Sequence, residues 1–156
     1  MSVERAVMLT AEGKVDLEQE LHTLRTVKRP EMAARIQELT MDGDVSDNSE
    51  YEDTKEELML IEARMREIEN LLRHARVAEK SDSPDEAQFG SEVTLVDEHG
   101  VEETWKLVSQ EEANTLHGKI SIKSPVGAAV LGKRVGDKVI VRAPGGESTF
   151  TVKLIV

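Results

Sequence analysis

The chain contains no cysteine, few aromatic residues and no long apolar run, and each shortage excludes something. Without cysteine it forms neither disulfides nor thiolate metal sites, which fits a reducing compartment. Aromatic residues are only 3% of the 156 residues, so we expect a small compact core plus extended helix. Because no segment is apolar enough for a membrane span or a signal-peptide core, we expect a cytoplasmic protein with no membrane partner.

Basic residues are scarce in the first half of the chain. Residues 1–89 hold 22 acids and 12 bases, a net charge of about −10, whereas residues 90–156 hold 9 acids and 8 bases, about −1. A surface this acidic does not bind nucleic acid by releasing counterions, and it favours a basic protein partner.

Two regions are separated by a polar run that contains Pro84. We expect a helical arm over residues 1–79, a linker over 80–88 and a second domain over 89–156, which makes a two-domain α+β protein. The second helix of the arm has a heptad seam. Its positions are Tyr51, Thr54, Leu58, Ile61, Met65, Ile68, Leu72 and Ala75.

The first helix of the arm is expected to begin at Thr10, as N-cap, and to change phase near Pro30. Its apolar positions are Leu17, Leu21, Leu24 and Val27, then Ala33, Ile36 and Leu39. Proline removes an intrahelical hydrogen bond, so we expect a kink or a short break there. Heptads are also typical of coiled coils that join two chains. The short turn at Gly43–Asn48 favours instead an antiparallel coiled-coil hairpin within one chain, so we expect a monomer.

The second region changes to the pattern of an antiparallel sheet with one helix. Ser124 and Pro125 are a favourable N-cap and first helical position for a helix over Val126–Leu131. Strands are predicted at residues 92–96, 103–108, 119–122, 138–142 and 148–154.

The turn between the arm helices is the most acidic part of the chain. Eight of the sixteen residues from Asp42 to Glu57 are acids, and Lys55 is their only base. Asp44 and Asp47 flank the turn, where they could supply part of a Mg²⁺ shell that another molecule completes. The alternative is ordinary turn and cap chemistry, which aspartate, asparagine and serine also favour. The sequence contains no catalytic triad, phosphate loop or histidine ligand pair, so we expect no enzyme acting alone.

Several motifs, in order, resemble those of the bacterial Gre transcript-cleavage factors. Residues 43–51, Gly-Asp-Val-Ser-Asp-Asn-Ser-Glu-Tyr, resemble the family's tip motif GDLSENAEY. Leu9–Gly13 and Arg29–Glu31 resemble its LTxEG and RPE motifs, and Lys119–Pro125 and Ala143–Gly146 resemble its C-terminal signature. The resemblance covers nearly the whole chain.

The resemblance implies a transcription elongation factor whose acidic tip, at residues 42–50, enters the secondary channel of bacterial RNA polymerase. Asp44 and Asp47 would there help hold a Mg²⁺ shared with the polymerase, which cleaves its own backtracked transcript. An FKBP-like C-terminal domain would dock on the polymerase through Ser124 and Pro125. Lys55 would meet the nascent RNA 3′ end, only within the complex.

Three positions depart from the family pattern. Asp47 replaces the usual glutamate and shortens its reach by about 1.5 Å, while Thr40 and Ala128 stand where arginines are common. Some homologues with extra tip aspartates inhibit the polymerase by occupying the channel. The alternative function is therefore a channel-blocking inhibitor with little cleavage activity, and a coiled-coil adaptor unrelated to polymerase is a third.

Overall fold

The computed structural model describes residues 6–41, 49–79 and 85–156. Two compact units are present, one within Glu12–Ala75 and the other formed by Val7–Ala11 together with Arg76–Val156. In the part of the chain that the structure describes, no helix is both long enough and apolar enough to cross a membrane.

The first unit is a helical hairpin, as predicted. Its first limb runs through α1 (Ala11–Thr23), a π-helical segment (Leu24–Lys28) and α2 (Arg29–Met41), and its second limb is α3 (Ser49–His74). α2 packs along α3. Every position of the predicted heptad seam in and after α3 is buried or half-buried, with Thr54, Met65 and Ile68 the most buried.

The predicted irregularity near Pro30 is a widened helical turn, and the helix continues through it. The N–H of Arg29 bonds to the carbonyl of Leu24, five residues earlier, which defines the π-helical segment. Pro30 has no N–H to donate to the carbonyl four residues before it, so the adjoining α-helical pattern is already interrupted. The segment adds one residue to the turn and rotates all later side chains.

Because of this added residue, two of the predicted core positions are wrong. Val27 is 52% exposed and Ala33 is also exposed, so neither belongs to the seam. Met32, at 8% exposure, takes the place that Ala33 was expected to fill. Shifted by one residue after the π-helical segment, the first limb keeps a heptad spacing. Its positions are Leu17, Leu21, Leu24, Arg29, Met32, Ile36 and Leu39.

The second unit contains a five-stranded sheet, with the strands close to their predicted positions. They are β3 (Glu92–Val96), β4 (Glu102–Val108), β5 (Lys119–Ser121), β6 (Lys138–Ala143) and β7 (Gly146–Ile155). Their order is β5-β4-β3-β7-β6. The sheet is mixed and not purely antiparallel as predicted, because β4 and β5 are parallel. Residues 109–118 carry the chain back to a point beside Lys106 of β4, from which β5 runs in the same direction as β4.

One face of the sheet forms the core of this unit with a short helix, α4 (Pro125–Val130), which contacts β5 and β6. The buried cluster consists of Ala87, Val93, Leu95, Leu107, Ile120, Val130, Val139, Val141 and Val152. Residues 80–84 of the predicted linker lie outside the described residues. Ala87, within the remainder, is 1% exposed and exchanges backbone hydrogen bonds with Gly132 and Lys133.

Two short strands flank the hairpin, and the sequence analysis did not foresee them. β1 (Val7–Leu9) precedes α1 and β2 (Ala75–Val77) follows α3, and the two form a separate sheet. Leu9 is fully buried, and its carbonyl accepts a 2.9 Å hydrogen bond from the N–H of Ala78.

Candidate functional site

The two predicted catalytic and metal-binding acids, Asp44 and Asp47, lie outside the described residues. The structure describes the two helix ends that flank them, Met41 of α2 and Ser49 of α3. In the sequence, Asp47 stands two residues before Ser49. The flanking helix ends, at Met41 and Ser49, are the described part of the candidate site.

The start of α3 is acidic and favours negative charge. Glu50 and Glu52 lie in its first turn. The unpaired N–H groups and the positive end of the helix dipole stabilise carboxylates at this position. The start of the helix therefore stabilises Glu50 and Glu52 without any bound cation. Helix-start chemistry accounts for these two acids of the run.

Arg35 of α2 reaches across the hairpin to Glu50. Its Nη2 donates a hydrogen bond to Oε1 of Glu50 in an ion pair whose two side chains are each 54% exposed. This hydrogen bond is the main cause of a raised pKa for the Arg35 guanidinium, followed by the charges of Glu50, Glu57 and Glu38. Arg35 therefore keeps its positive charge at the acidic end of the arm.

Thr54 holds the same turn of α3 from the other side. It is 4% exposed, and its Oγ1 donates a 2.7 Å hydrogen bond to the carbonyl oxygen of Glu50. Glu50 is thus fixed through its side chain by Arg35 and through its backbone by Thr54. The sequence analysis recognised Thr54 as a seam residue but missed Arg35, although Arg35 is the last base before nineteen residues without one, 36–54.

Lys55, predicted to meet the RNA 3′ end, is exposed and lies on α3. Its Nζ sits 5.2 Å from the centroid of the Tyr51 ring, one turn earlier. A cation at this distance is attracted by the face of the ring. Thr40, at the position where the family commonly has arginine, donates its hydroxyl to the carbonyl of Gln37 at 2.8 Å.

Cross-hairpin ion pairs also brace the arm further from this end. Arg64 binds Glu20 through two hydrogen bonds, of 2.8 and 3.0 Å, and these bonds raise the pKa of Arg64. Arg25 binds Glu69 at 2.8 Å. Such flanking pairs select the register and orientation of paired helices more than they add stability.

A metal ion held by this chain needs several oxygen or nitrogen ligands close together. Within 6–41, 49–79 and 85–156, no group of three or more histidines or carboxylates is arranged to hold one. Asp44 and Asp47 lie outside these residues, so the Mg²⁺ shared with another molecule stays a prediction.

The predicted docking residues Ser124 and Pro125 lie at the start of α4. The Ser124 hydroxyl accepts a 3.1 Å hydrogen bond from the N–H of Gly127 and donates one of 2.6 Å to the carbonyl of Ser121. Its position is therefore explained by helix capping, while Pro125 is exposed at the surface. Ala128, where the family commonly has arginine, is exposed on the same helix.

Two family descriptions together match nearly the whole chain. Residues 7–77 match "Transcription elongation factor, N-terminal", and residues 81–156 match "Transcription elongation factor, GreA/GreB, C-term". The chain is 44% identical to the transcription elongation factor GreA of Geobacillus kaustophilus over 157 aligned positions, which cover 99% of this chain and 98% of that one. It is 43% identical to the GreA of Bacillus subtilis over 156 positions, with the same coverage.

A solved structure is also similar in sequence. GreA factor homolog 1 (Gfh1) of Thermus thermophilus is 37% identical, with 97% of this chain and 99% of that chain covered and a TM-score of 0.46. The order of the two matched regions and the identity over almost the full length agree with the motifs at the acidic end of the arm. The chain belongs to the GreA/GreB family of transcription elongation factors.

Proposed function

We propose that this protein binds bacterial RNA polymerase and stimulates cleavage of the backtracked transcript by the polymerase's own active site. The observation that carries the proposal is a family match along the whole chain, combined with an acidic run at the end of a helical hairpin. The protein acts as an accessory factor and not as an enzyme by itself. We expect it to work as a monomer in the cytoplasm, where the polymerase is.

The length of the arm supports delivery of the acidic end into a deep channel. α3 has 26 residues, which at 1.5 Å per residue is a rod of about 39 Å. A hairpin of two helices is narrow compared with a globular domain, so it enters a channel that excludes larger bodies. The polymerase surface around its RNA is expected to be basic, which suits a half-chain with a net charge of about −10.

The roles of the individual residues follow from their chemistry. Asp44 and Asp47 supply oxygen ligands to a Mg²⁺ shared with the polymerase, and when bound this ion polarises the scissile phosphate and activates water. Lys55, which is exposed on α3, attracts the RNA 3′ end within the complex. Pro125 provides an exposed contact for docking at the channel rim, with Ser124 fixing the turn that presents it.

A cleavage assay tests the proposal. Stalled, backtracked complexes of purified polymerase are incubated with the wild-type protein, Asp44→Ala or Asp47→Ala, and shortened transcripts are measured over time. Wild type should accelerate cleavage, and each aspartate variant should lose most of that acceleration. Glu18→Gln, which removes an exposed acid of α1 far along the arm from the acidic run, is the matched control and should behave as wild type.

Three results would contradict the proposal in different ways. Equal cleavage with wild type and Asp44→Ala would show that the acidic end does not act in the reaction. Depressed RNA synthesis in complexes that are not backtracked, without faster cleavage, would show a channel-blocking inhibitor. Failure to co-purify with core polymerase would favour an adaptor that acts elsewhere.

A further inference from the structure

The five-stranded sheet has two edges, and the chain itself covers only one of them. At the first edge, β5 has three residues, and Lys119 exchanges two 2.9 Å backbone hydrogen bonds with Asn114. At the other edge, β6 runs regularly along β7 for six residues, Lys138–Ala143. Within the part of the chain that the structure describes, no hydrogen bond reaches the backbone of β6 from outside β7. β6 is therefore the open edge of the sheet.

The register with β7 shows which backbone groups of β6 are unpaired. Ala143 and Gly146 close a hairpin with a two-residue loop, so they form a hydrogen-bonded pair, and such pairs recur at every second residue. The N–H of Val152 bonds to the carbonyl of Asp137 at 3.0 Å, which agrees with this alternation. The residues between the hydrogen-bonded pairs direct their N–H and C=O groups to the open side. These outward residues are Lys138, Ile140 and Arg142.

The side chains of the outward residues lie on the exposed face of the sheet. Ile140 is 56% exposed, and Lys138 and Arg142 on either side of it are also exposed. Val139 and Val141 point to the opposite face, where they are buried in the core. An apolar side chain thus lies between two cations at the middle of the open edge.

Bases are concentrated at this edge, although the whole chain has a net charge of −11. Residues 133–142 contain four bases and one acid. Lys138 makes no ion pair with any described residue, and Arg142 contacts Glu147 at 3.2 Å with both side chains largely exposed. Because an exposed pair of this kind is weak, an incoming carboxylate can compete for Arg142.

These charges determine which strand can be added to the edge. An unpaired edge is a template for another extended chain. If two copies of β6 paired antiparallel about Ile140, Lys138 of each would face Arg142 of the other, and like charges directly opposite are destabilising. Carboxylates at the same positions would form favourable cross-strand pairs. The edge is therefore protected from a second copy and complementary to an acidic strand.

We propose that β6 is a docking edge for an extended acidic segment of a partner protein, which joins the sheet as a sixth strand. The segment carries acids opposite Lys138 and Arg142 and an apolar residue opposite Ile140. The outward N–H and C=O groups supply main-chain hydrogen bonds, and the alternating side chains select the partner. This role is separate from the function proposed for the arm, and its test needs no polymerase.

Amide exchange, measured by NMR on the full-length chain, tests the proposal directly. The probe is the peptide Ser-Glu-Thr-Val-Thr-Glu-Ser, whose glutamates and valine take the three positions opposite the outward residues. The amides of Lys138, Ile140 and Arg142 should exchange rapidly in the free protein and become protected when the peptide binds. The amides of Val139 and Val141 should be protected in both states, because they already bond to β7.

Methylated peptides test whether the peptide binds as a strand. N-methyl groups on the two glutamates and the valine remove the donors that face β6, so this peptide should bind roughly tenfold or more weakly. N-methyl groups on the two threonines remove donors that face away from β6, so this matched peptide should bind about as well as the parent.

Charge exchange tests the choice of partner. Lys138→Glu should weaken binding of the acidic peptide roughly fivefold. Combined with Arg142→Glu, it should favour a peptide with lysines in place of both glutamates, which wild type binds poorly. Lys123→Glu is the matched control, since it makes the same change of charge just after β5, at the other edge of the sheet, and should bind as wild type does. Equal thermal midpoints by circular dichroism show that the variants are folded.

The proposal fails on any of three results. Rapid exchange of the three outward amides at about 1 mM peptide would show that no strand is added. Protection of these amides in the free protein would show that the chain itself or a second copy already covers the edge. Equal weakening by Lys138→Glu and Lys123→Glu would show that the peptide is attracted only by net charge.

Discussion

Thr10 and Glu112 are joined by two hydrogen bonds across 102 residues of chain. The N–H of Thr10 donates to Oε2 of Glu112 at 2.9 Å, and the Thr10 hydroxyl donates to Oε1 at 2.7 Å. Thr10 is 7% exposed and directly precedes α1. Both oxygens of one carboxylate are therefore committed to the residue at which the helical arm begins.

Glu112→Gln should weaken the second unit. The amide keeps one acceptor oxygen but replaces the other with an N–H₂ donor, which cannot accept from Thr10. Because hydrogen bonds to a charged group are stronger than neutral ones, we expect a loss of about 1–2 kcal/mol in the free energy of unfolding. Urea unfolding followed by the fluorescence of Trp105, the chain's single tryptophan, measures it. The exposed neighbour Glu111→Gln is the control, and equal stability of the two variants would contradict this role.

Ser109→Ala should leave stability unchanged or raise it by up to about 1 kcal/mol. Ser109 is 7% exposed and its hydroxyl has no hydrogen-bond partner among the described residues, so it is desolvated without compensation. Ser91 is the matched control, since it is 3% exposed but its Oγ accepts a 3.1 Å hydrogen bond from the N–H of Gln88. Ser91→Ala should therefore cost about 1 kcal/mol. The same urea titration compares them, and a larger loss for Ser109→Ala would show that its hydroxyl has a partner in solution.

Gly127→Ala should prevent normal folding of the second unit. A Cβ at this position would lie 2.0 Å from the carbonyl oxygen of Ser121, which is backbone and cannot easily move aside. We expect a loss of about 3 kcal/mol or more, or failure to fold. Gly145→Ala is the control because no atom of the described residues lies within 4 Å of its Cβ position. Thermal unfolding with near-native stability for Gly127→Ala would show that α4 can shift away from β5.

Deletion of Val27 together with Pro30→Ala should preserve the arm. The change removes the residue added by the π-helical segment and restores an N–H at position 30, so Leu24 and Met32 stay on one heptad seam. Helical circular dichroism and the thermal midpoint should match or exceed those of the parent. Deleting Gln19 with the same Pro30→Ala change displaces leucines from the seam and should lower the midpoint. Equal losses in both variants would disprove the added-residue explanation.

The sequence predicted the long α3 seam and the five strands of the second unit because each has a clear period. A run of β-branched residues, Val139–Val141, gives the strand Lys138–Ala143, and 3,4 spacing gives the buried positions of α3. No sequence period indicates that β4 and β5 pair in parallel. Their relative direction depends on the path of the connecting residues 109–118. β1 and β2 each have only three residues, which is too short for a period to be read.

The candidate site was predicted only in part, for a related reason. The acidic run is visible in the sequence as composition, whereas the position of Glu50 in the first turn of α3 is seen only in the structure. Met32 and Arg35 were missed because a proline signals an irregularity without telling whether it adds a residue to the turn. Asp44 and Asp47 lie outside the described residues and stay predictions.

The pairing of β1 with β2 fixes an order of events during protein synthesis. Val7–Leu9 leaves the ribosome first, yet its partner strand Ala75–Val77 follows only after the whole hairpin. The carboxylate that binds Thr10 is made later still, 102 residues after Thr10 itself. The hairpin can thus form before the chain that buries Leu9 has been made. If translation stalled between these points, the nascent chain would carry a folded hairpin while the apolar side chain of Leu9 was still exposed to solvent.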